Sequence, residues 1–187
     1  MSVAVLDACV LYPPSLRDLF MWLAVAMLYE PRWTEDIHAE WMRNVLKNNP
    51  EITADRLERT RILMDRVSGD SVVKDYEKHI SGLTLPDAGD RHVLAAAIEA
   101  KASVIVTFNL SDFPTSALKP YGIRAVHPDK YLAALFDEAP ELFLSGVRDH
   151  RISLKRPPKS VDAYIETLKI NGLTMVVERL ANQRTVL

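Results

Sequence analysis

Val3-Ala4-Val5-Leu6 is a continuous apolar run without polar alternation. A strand of that kind must be buried on both faces, which points to a parallel sheet covered by helices. Ser103-Val104-Ile105-Val106-Thr107, β-branched at nearly every position, is a second such run and the strongest strand in the chain. Helical segments lie between them. The pattern predicts a helix over 16–28, opened by the Pro13-Pro14 break with Ser15 as its N-cap, and one over 36–47, ended by Asn48-Asn49-Pro50. A third is expected over 53–67, and a fourth over 92–102, where Ala95-Ala96-Ala97 permits close approach to a sheet. Weaker strands are expected at 32–34, 71–73 and 122–126. Strands separated by helices imply a doubly wound α/β unit with a central parallel sheet. From residue 129 onward only helices are expected, over 130–137, 140–152, 161–170 and 173–182, with Ser160 as an N-cap and Gly172 at a C′ position. The expected division is therefore an α/β unit over 1–128 and a helical C-terminal extension over 129–187.

The length of 187 residues suits one domain with a small appendage, and 48% apolar residues suffice for a core. The single cysteine, Cys9, excludes an internal disulfide and a Cys-based zinc site, and fits a reduced intracellular protein. With 23 basic against 25 acidic residues, the formal charge of −2 is not that of a typical nucleic-acid binder. Contact with phosphate would need a local patch, or bound cations offsetting an acidic site. The longest apolar run, 19–29, has 11 residues, short of the ~20 that span a membrane. The N-terminus carries no basic segment of the signal-peptide kind. A soluble cytoplasmic protein without membrane contact is expected.

The informative residues are carboxylates. Asp7 follows the first strand, and Asp112 follows the second by a few residues, in Thr107-Phe108-Asn109-Leu110-Ser111-Asp112-Phe113. Both fall beyond strand carboxyl ends, where open parallel sheets gather functional groups. Asp87 and Asp90 stand at the mouth of the alanine-rich helix, and Glu40 lies inside the second helix. Ionised carboxylates held together repel one another unless a cation bridges them. Oxygen-only ligands favour Mg²⁺ or Mn²⁺ over zinc. Such an ion can activate a water and offset phosphodiester charge in an in-line displacement.

Four segments in order, Leu6-Asp7-Ala8-Cys9-Val10-Leu11-Tyr12-Pro13, the helix with Glu40, Asp87-Ala88-Gly89-Asp90-Arg91-His92-Val93-Leu94-Ala95-Ala96-Ala97, and Val106-Thr107-Phe108-Asn109-Leu110-Ser111-Asp112-Phe113, resemble the motifs of PIN-domain proteins. The nearest resemblance is to VapC-like ribonuclease toxins of bacterial toxin–antitoxin pairs, and it covers about residues 1–128. It implies a three-layer α/β/α PIN-like fold, a metal-dependent RNase activity on an RNA substrate, a cognate antitoxin protein as partner, and a homodimer. It assigns Asp7, Glu40, Asp90 and Asp112 as the catalytic acids. Asp7, Asp90 and Asp112 would be the ligands of Mg²⁺ or Mn²⁺, Asp87 an additional supporting acid, and Thr107 and Asn109 the residues orienting the site. The chain departs from short toxins in the wide spacing between Glu40 and Asp87 and in the helical segment after residue 128.

Each residue also has an ordinary role to weigh. Asp7, Asp87 and Asp112 are common turn residues, Asp90 suits an N-cap, and Glu40 can pair with Arg43 at i+3. His38 and His92 stand alone and read as structural or surface residues. Cys9 reads as a small buried apolar residue, Trp22 and Trp41 as core, and the Arg56–Arg66 face as solvated. Arg17 and Arg43, near the crevice elements, are candidates for binding phosphate. A Ser-His-Asp hydrolase lacks its Gly-x-Ser-x-Gly elbow, a dinucleotide or P-loop enzyme lacks its Gly-rich loop, and an Asp-x-Asp phosphatase lacks its second acid, since position 9 is Cys. The alternative to the nuclease is a catalytically silent scaffold or RNA-binding module on the same fold.

Overall fold

The computed structural model describes residues 1–67 and 69–187. Four parallel strands form one sheet: β1 (Ser2–Leu6), β2 (Tyr29–Arg32), β3 (Val104–Val106) and β4 (Arg124–Val126). Their order is β2-β1-β3-β4. The chain steps from β1 to one side, returns past it to β3, and continues outward to β4. The direction reverses between β1 and β3, so the switch-point crevice lies beyond their carboxyl ends. The pairing Leu6↔Val106 brings those two ends level. Right-handed crossovers then place α2 (Pro14–Val25) on one face and α6 (Arg91–Glu99) on the other. The α/β/α expectation holds, and Val5, Leu6, Ile105 and Val106 are fully buried, as their unbroken apolar runs require.

Several boundaries differ from the sequence pattern for identifiable reasons. A short helix, α1 (Ala8–Leu11), begins immediately after β1 because Asp7 caps it, accepting a hydrogen bond from the Ala8 amide. Helix α2 starts on Pro14, whose missing N–H needs no cap, so Ser15 is not one. Its hydroxyl instead accepts from Asn171. The helix ends at Val25, short of the expected 28, because Met27 turns left-handed at φ 62° and Tyr29 already pairs with Ser2 of β1. The second strand accordingly occupies Tyr29–Arg32 rather than 32–34, and the strand expected at 71–73 reduces to one bridge, Trp33 to Val72, along the outer edge of β2. Helices α3 (Glu35–Asn48) and α4 (Ala54–Asp65) follow, capped by Thr34 and Thr53. Two further short helices, α5 (Glu77–Ile80) and α7 (Thr115–Leu118), have no apolar periodicity long enough to be read.

The C-terminal region consists of α8 (Pro128–Glu138), α9 (Pro140–Ser153), α10 (Val161–Ile170) and α11 (Thr174–Leu180). Ser160 caps α10 as expected, and Gly172 takes the left-handed φ of 77°. These helices pack onto α2 and one another. Tyr131 on α8 stands edge-on to Tyr29 and stacks on Phe20, with centroids 5.7 and 6.4 Å apart. Gly146 lets α9 approach α2: a Cβ there would meet Leu23 at 3.0 Å and Ala26 at 3.3 Å. Buried Asp129 on α8 caps α11 from outside, accepting from the Thr174 hydroxyl at 3.1 Å, the Met175 amide at 2.9 Å and the Val176 amide at 3.0 Å. Removing this carboxylate leaves buried donors unpaired. Asp129→Ala is expected to cost about 2 kcal/mol in urea denaturation.

His150 on α9 is buried against Tyr164 of α10, Nδ1 to hydroxyl 2.8 Å, while its Nε2 has no partner among the described residues. Burial pulls its pKa down from 6.5 to about 4. The folded state therefore prefers the neutral ring. Its contribution is fully present above pH 6.5 and is lost as pH falls toward 4. The thermal midpoint of His150→Phe should depend less on pH across that window than that of the wild type.

Candidate active site

The site grows from Asp7. The register that levels β1 with β3 sets Asp7 beside Thr107, the residue after β3. Asp7 is 4% exposed. Its Oδ1 accepts from the Ala8 amide at 2.7 Å, and its Oδ2 accepts from the Thr107 hydroxyl at 2.6 Å and the Cys9 thiol at 3.1 Å. The Thr107 hydroxyl, its one proton committed to Asp7, accepts from the Asn109 amide at 3.0 Å. The contribution of Asn109 to this chain of bonds is thus made by its backbone. Burial raises the Asp7 pKa, the Thr107 and Cys9 hydrogen bonds oppose that rise, and the nearby Glu40 charge adds to it.

Cys9 belongs to this support, a role its lone occurrence in the sequence did not signal. Its sulfur also accepts from the Phe108 amide at 3.3 Å. Burial, then the Asp7 charge, pushes the thiol up to about 12, so it remains protonated and is no nucleophile.

Asp87 and Asp90 divide the work at the mouth of α6. Asp87 accepts from the Gly89 amide at 2.7 Å and caps the 3₁₀ turn Ala88–Asp90. A Cβ on Gly89 would lie 3.0 Å from that carboxylate oxygen, so the tight turn suits glycine. Asp90 makes no side-chain capping bond to α6, contrary to its ordinary reading as an N-cap, and stays available to the crevice. Its pKa is raised from 3.8 to about 6, first by burial and then by Asp7, Asp87, Asp112 and Glu40. Acids from segments scattered over more than a hundred residues therefore bear on Asp90 in the crevice. Asp112, half-buried, closes the 3₁₀ turn Leu110–Asp112 that follows β3.

Glu40 arrives on α3, which is anchored from behind by a polar network. Asp65 of α4 accepts from the Trp33 indole at 2.9 Å, from His38 Nε2 at 3.0 Å and from Arg61 at 3.0 Å. The Trp41 indole donates to His38 Nδ1 at 3.0 Å, which fixes the neutral tautomer with its proton on Nε2. Burial lowers the His38 pKa, consistent with that state. His38 is thus structural, and Trp33 and Trp41 are fully buried, whereas Trp22 is only half-buried. The Arg17 guanidinium lies 4.5 Å over the Trp41 ring and donates to the Leu11 carbonyl at 2.8 Å. Arg17 is 6% exposed, yet borders a cavity of about 320 Å³ shared with Tyr12, Val45, Arg56 and Leu57. Arg43 is exposed and does not pair with Glu40. The basic group facing Glu40 is His92, Nε2 to Oε2 3.6 Å, a residue that reads from the sequence as structural or surface.

The donor chemistry suits a hard divalent cation: every candidate ligand is a carboxylate oxygen, and the accumulated negative charge calls for neutralisation. Among the described residues no three His, Cys, Asp or Glu side chains are drawn together as an all-protein metal cage. Mg²⁺ does not require one, since it keeps several waters and takes one or two carboxylates directly.

A PIN-domain family model matches residues 3–111, which contain both central strands and every acid of the crevice except Asp112. The chain belongs to the PIN-domain family. Within this PIN-domain chain a second model, VapC50 C-terminal domain, matches residues 128–182, the region of α8 to α11. Over 82 residues the chain is 48% identical to "Putative ribonuclease VapC50" of Mycobacterium tuberculosis (strain ATCC 25618 / H37Rv), a match covering 42% of this chain and 47% of that relative. It thus spans about half the length of the curated relative. No solved structure matches the chain. Among the described residues no helix is long and apolar enough to cross a membrane.

The raised Asp90 pKa has a consequence for stability without metal. Its charge costs stability that is recovered fully below pH 3.8 and lost as pH rises through about 6. Asp90→Asn should raise the thermal midpoint of the metal-free protein by a few degrees at pH 7.5. The gain should shrink below pH 6 and vanish below pH 4.

Proposed function

We propose that this chain is a Mg²⁺- or Mn²⁺-dependent endoribonuclease, acting in the cytoplasm as the toxin of a type II toxin–antitoxin pair. The observation that supports this reading is Asp7 at the β1/β3 switch point, locked to Thr107, with the charges of Asp7, Asp87, Asp112 and Glu40 all bearing on Asp90. The likeness to the VapC ribonuclease named above supports the same chemistry. In this reading residues 1–128 form the nuclease unit and 129–187 the helical extension. The partners are the RNA substrate, a cognate antitoxin protein that covers the crevice, and a second copy in a homodimer.

Asp7, Asp90 and Asp112 would hold the ion, with Asp87 shaping the turn that presents Asp90. The bound cation would supply an activated water and offset charge on the phosphodiester. Glu40 would position the attacking water and help to take its proton. Thr107 holds Asp7 in one rotamer, and the Asn109 amide holds Thr107. Arg43, exposed one turn beyond Glu40, contacts an RNA phosphate. Arg17, spent largely on Leu11 and Trp41, would reach phosphate only through the cavity it borders. Products would carry a 5′ phosphate and a 3′ hydroxyl.

Cleavage of structured RNA in Mg²⁺ is the direct test. Asp7→Asn or a chelator should lower the rate by ~10²-fold or more. Equal activity in the variant, or no Mn²⁺ binding to the wild type by calorimetry at millimolar ion, would favour the silent scaffold instead. Thr107→Val, which keeps the shape and removes the donor to Asp7, should weaken Mn²⁺ binding by roughly 10-fold.

A further inference from the structure

The carboxylate chemistry leaves His92 without a role, although its imidazole points into the same crevice. His92 is the second residue of α6 and stands two positions after Asp90. Its Nε2 lies 3.6 Å from Glu40 Oε2, with side chains 16% and 35% exposed. Its Nδ1 is buried and, among the described residues, has no hydrogen-bond partner. A neutral imidazole carries one N–H. On Nδ1 that proton would be a buried, unpaired donor, while the opposing nitrogen presented its lone pair to a carboxylate. On Nε2 it faces Glu40, and only a lone pair stays unmet, which is the cheaper arrangement.

The remaining charges on Glu40 are of its own sign, since Asp7 and Asp90 both feel it. Among the described residues His92 is the one basic group within 4 Å of Glu40. Without it, like-charge repulsion drives the Glu40 carboxylate outward from the crevice toward solvent.

We infer that His92 is a positioning residue: its Nε2–H ties α6 to α3 and holds the Glu40 carboxylate turned into the crevice. The 3.6 Å separation is longer than a hydrogen bond and shortens when the site fills, as such contacts commonly do. This inference rests on the nuclease reading for its effect on catalysis, while the contact itself is independent of it.

The test combines His92→Leu, His92→Gln, Glu40→Gln and the His92→Leu/Glu40→Gln double variant, all full-length, with the thermal midpoint recorded for each. Gln carries an N–H donor at a reach close to that of Nε2. Single-turnover RNA cleavage in Mg²⁺ should fall about 10-fold in His92→Leu with KM little changed. It should stay within about 3-fold of wild type in His92→Gln. In the Glu40→Gln background, His92→Leu should add no further loss, because the pair acts as a unit. Long-range ¹⁵N NMR of the imidazole should show the Nε2–H tautomer in the wild type and a shifted Nε2 resonance in Glu40→Gln. An unchanged rate in His92→Leu, equal losses in both backgrounds, a loss in His92→Gln matching that of His92→Leu, or the Nδ1–H tautomer would overturn the inference. A wild type that cleaves no RNA yet shows the Nε2–H tautomer coupled to Glu40 would remove the nuclease reading and leave the contact standing.

Discussion

One hydrogen bond organises this molecule's chemistry, from the Thr107 hydroxyl to the Asp7 carboxylate. It exists because Leu6 and Val106 are paired in register at the point where the sheet changes direction. A one-residue slip would turn every side chain of β1 to the other face and put Asp7 into the apolar layer. The runs of β1 and β3 are apolar on both faces and would tolerate the slip, but a carboxylate buried away from its Thr107 and Ala8 donors would not, so the acid itself helps to fix the register. Around it the backbone closes the arrangement: the Ala8 amide on one oxygen, and Cys9 and Thr107 on the other, each with a further amide behind it.

The rest of the crevice is built against its own electrostatics. Asp90 keeps a depressed acidity because burial and four neighbouring acids oppose its charge. An ordinary surface would disperse such a set. Here α3 is pinned by the Asp65–His38–Trp41 network and α6 by its alanine-rich contact with the sheet, so the acids are held in spite of their repulsion. The stability missing at the crevice comes from elsewhere in the core, and a bound cation would return part of it.

The C-terminal helices are part of the same packed body. Tyr131 completes an aromatic group with Phe20 and Tyr29, Gly146 admits α9 onto α2, and Asn171 reaches Ser15 at the start of α2. Helix α2 follows α1, which Asp7 caps, so this region braces the element that leaves β1 at the crevice. Asp129 holds the last helix by three hydrogen bonds, which places the terminal segment against α8.

The sequence by itself determined the sheet strands with unbroken apolar runs, the helical tail with its Ser160 and Gly172 signals, and the acids at strand ends. Hydrophobic period and capping chemistry are local, and local patterns survive without knowledge of partners. The edge strand at Tyr29–Arg32 was misplaced, because the apolar run 19–29 continues without a break and only pairing to β1 ends the helix. Whether Asp90 was a cap or a free carboxylate, whether Glu40 faced Arg43 or His92, and whether Cys9 was filler or support were decided by the tertiary structure alone. Each depends on which side chains meet across strands and helices far apart in the chain, and register and crossover handedness set those meetings rather than spacing.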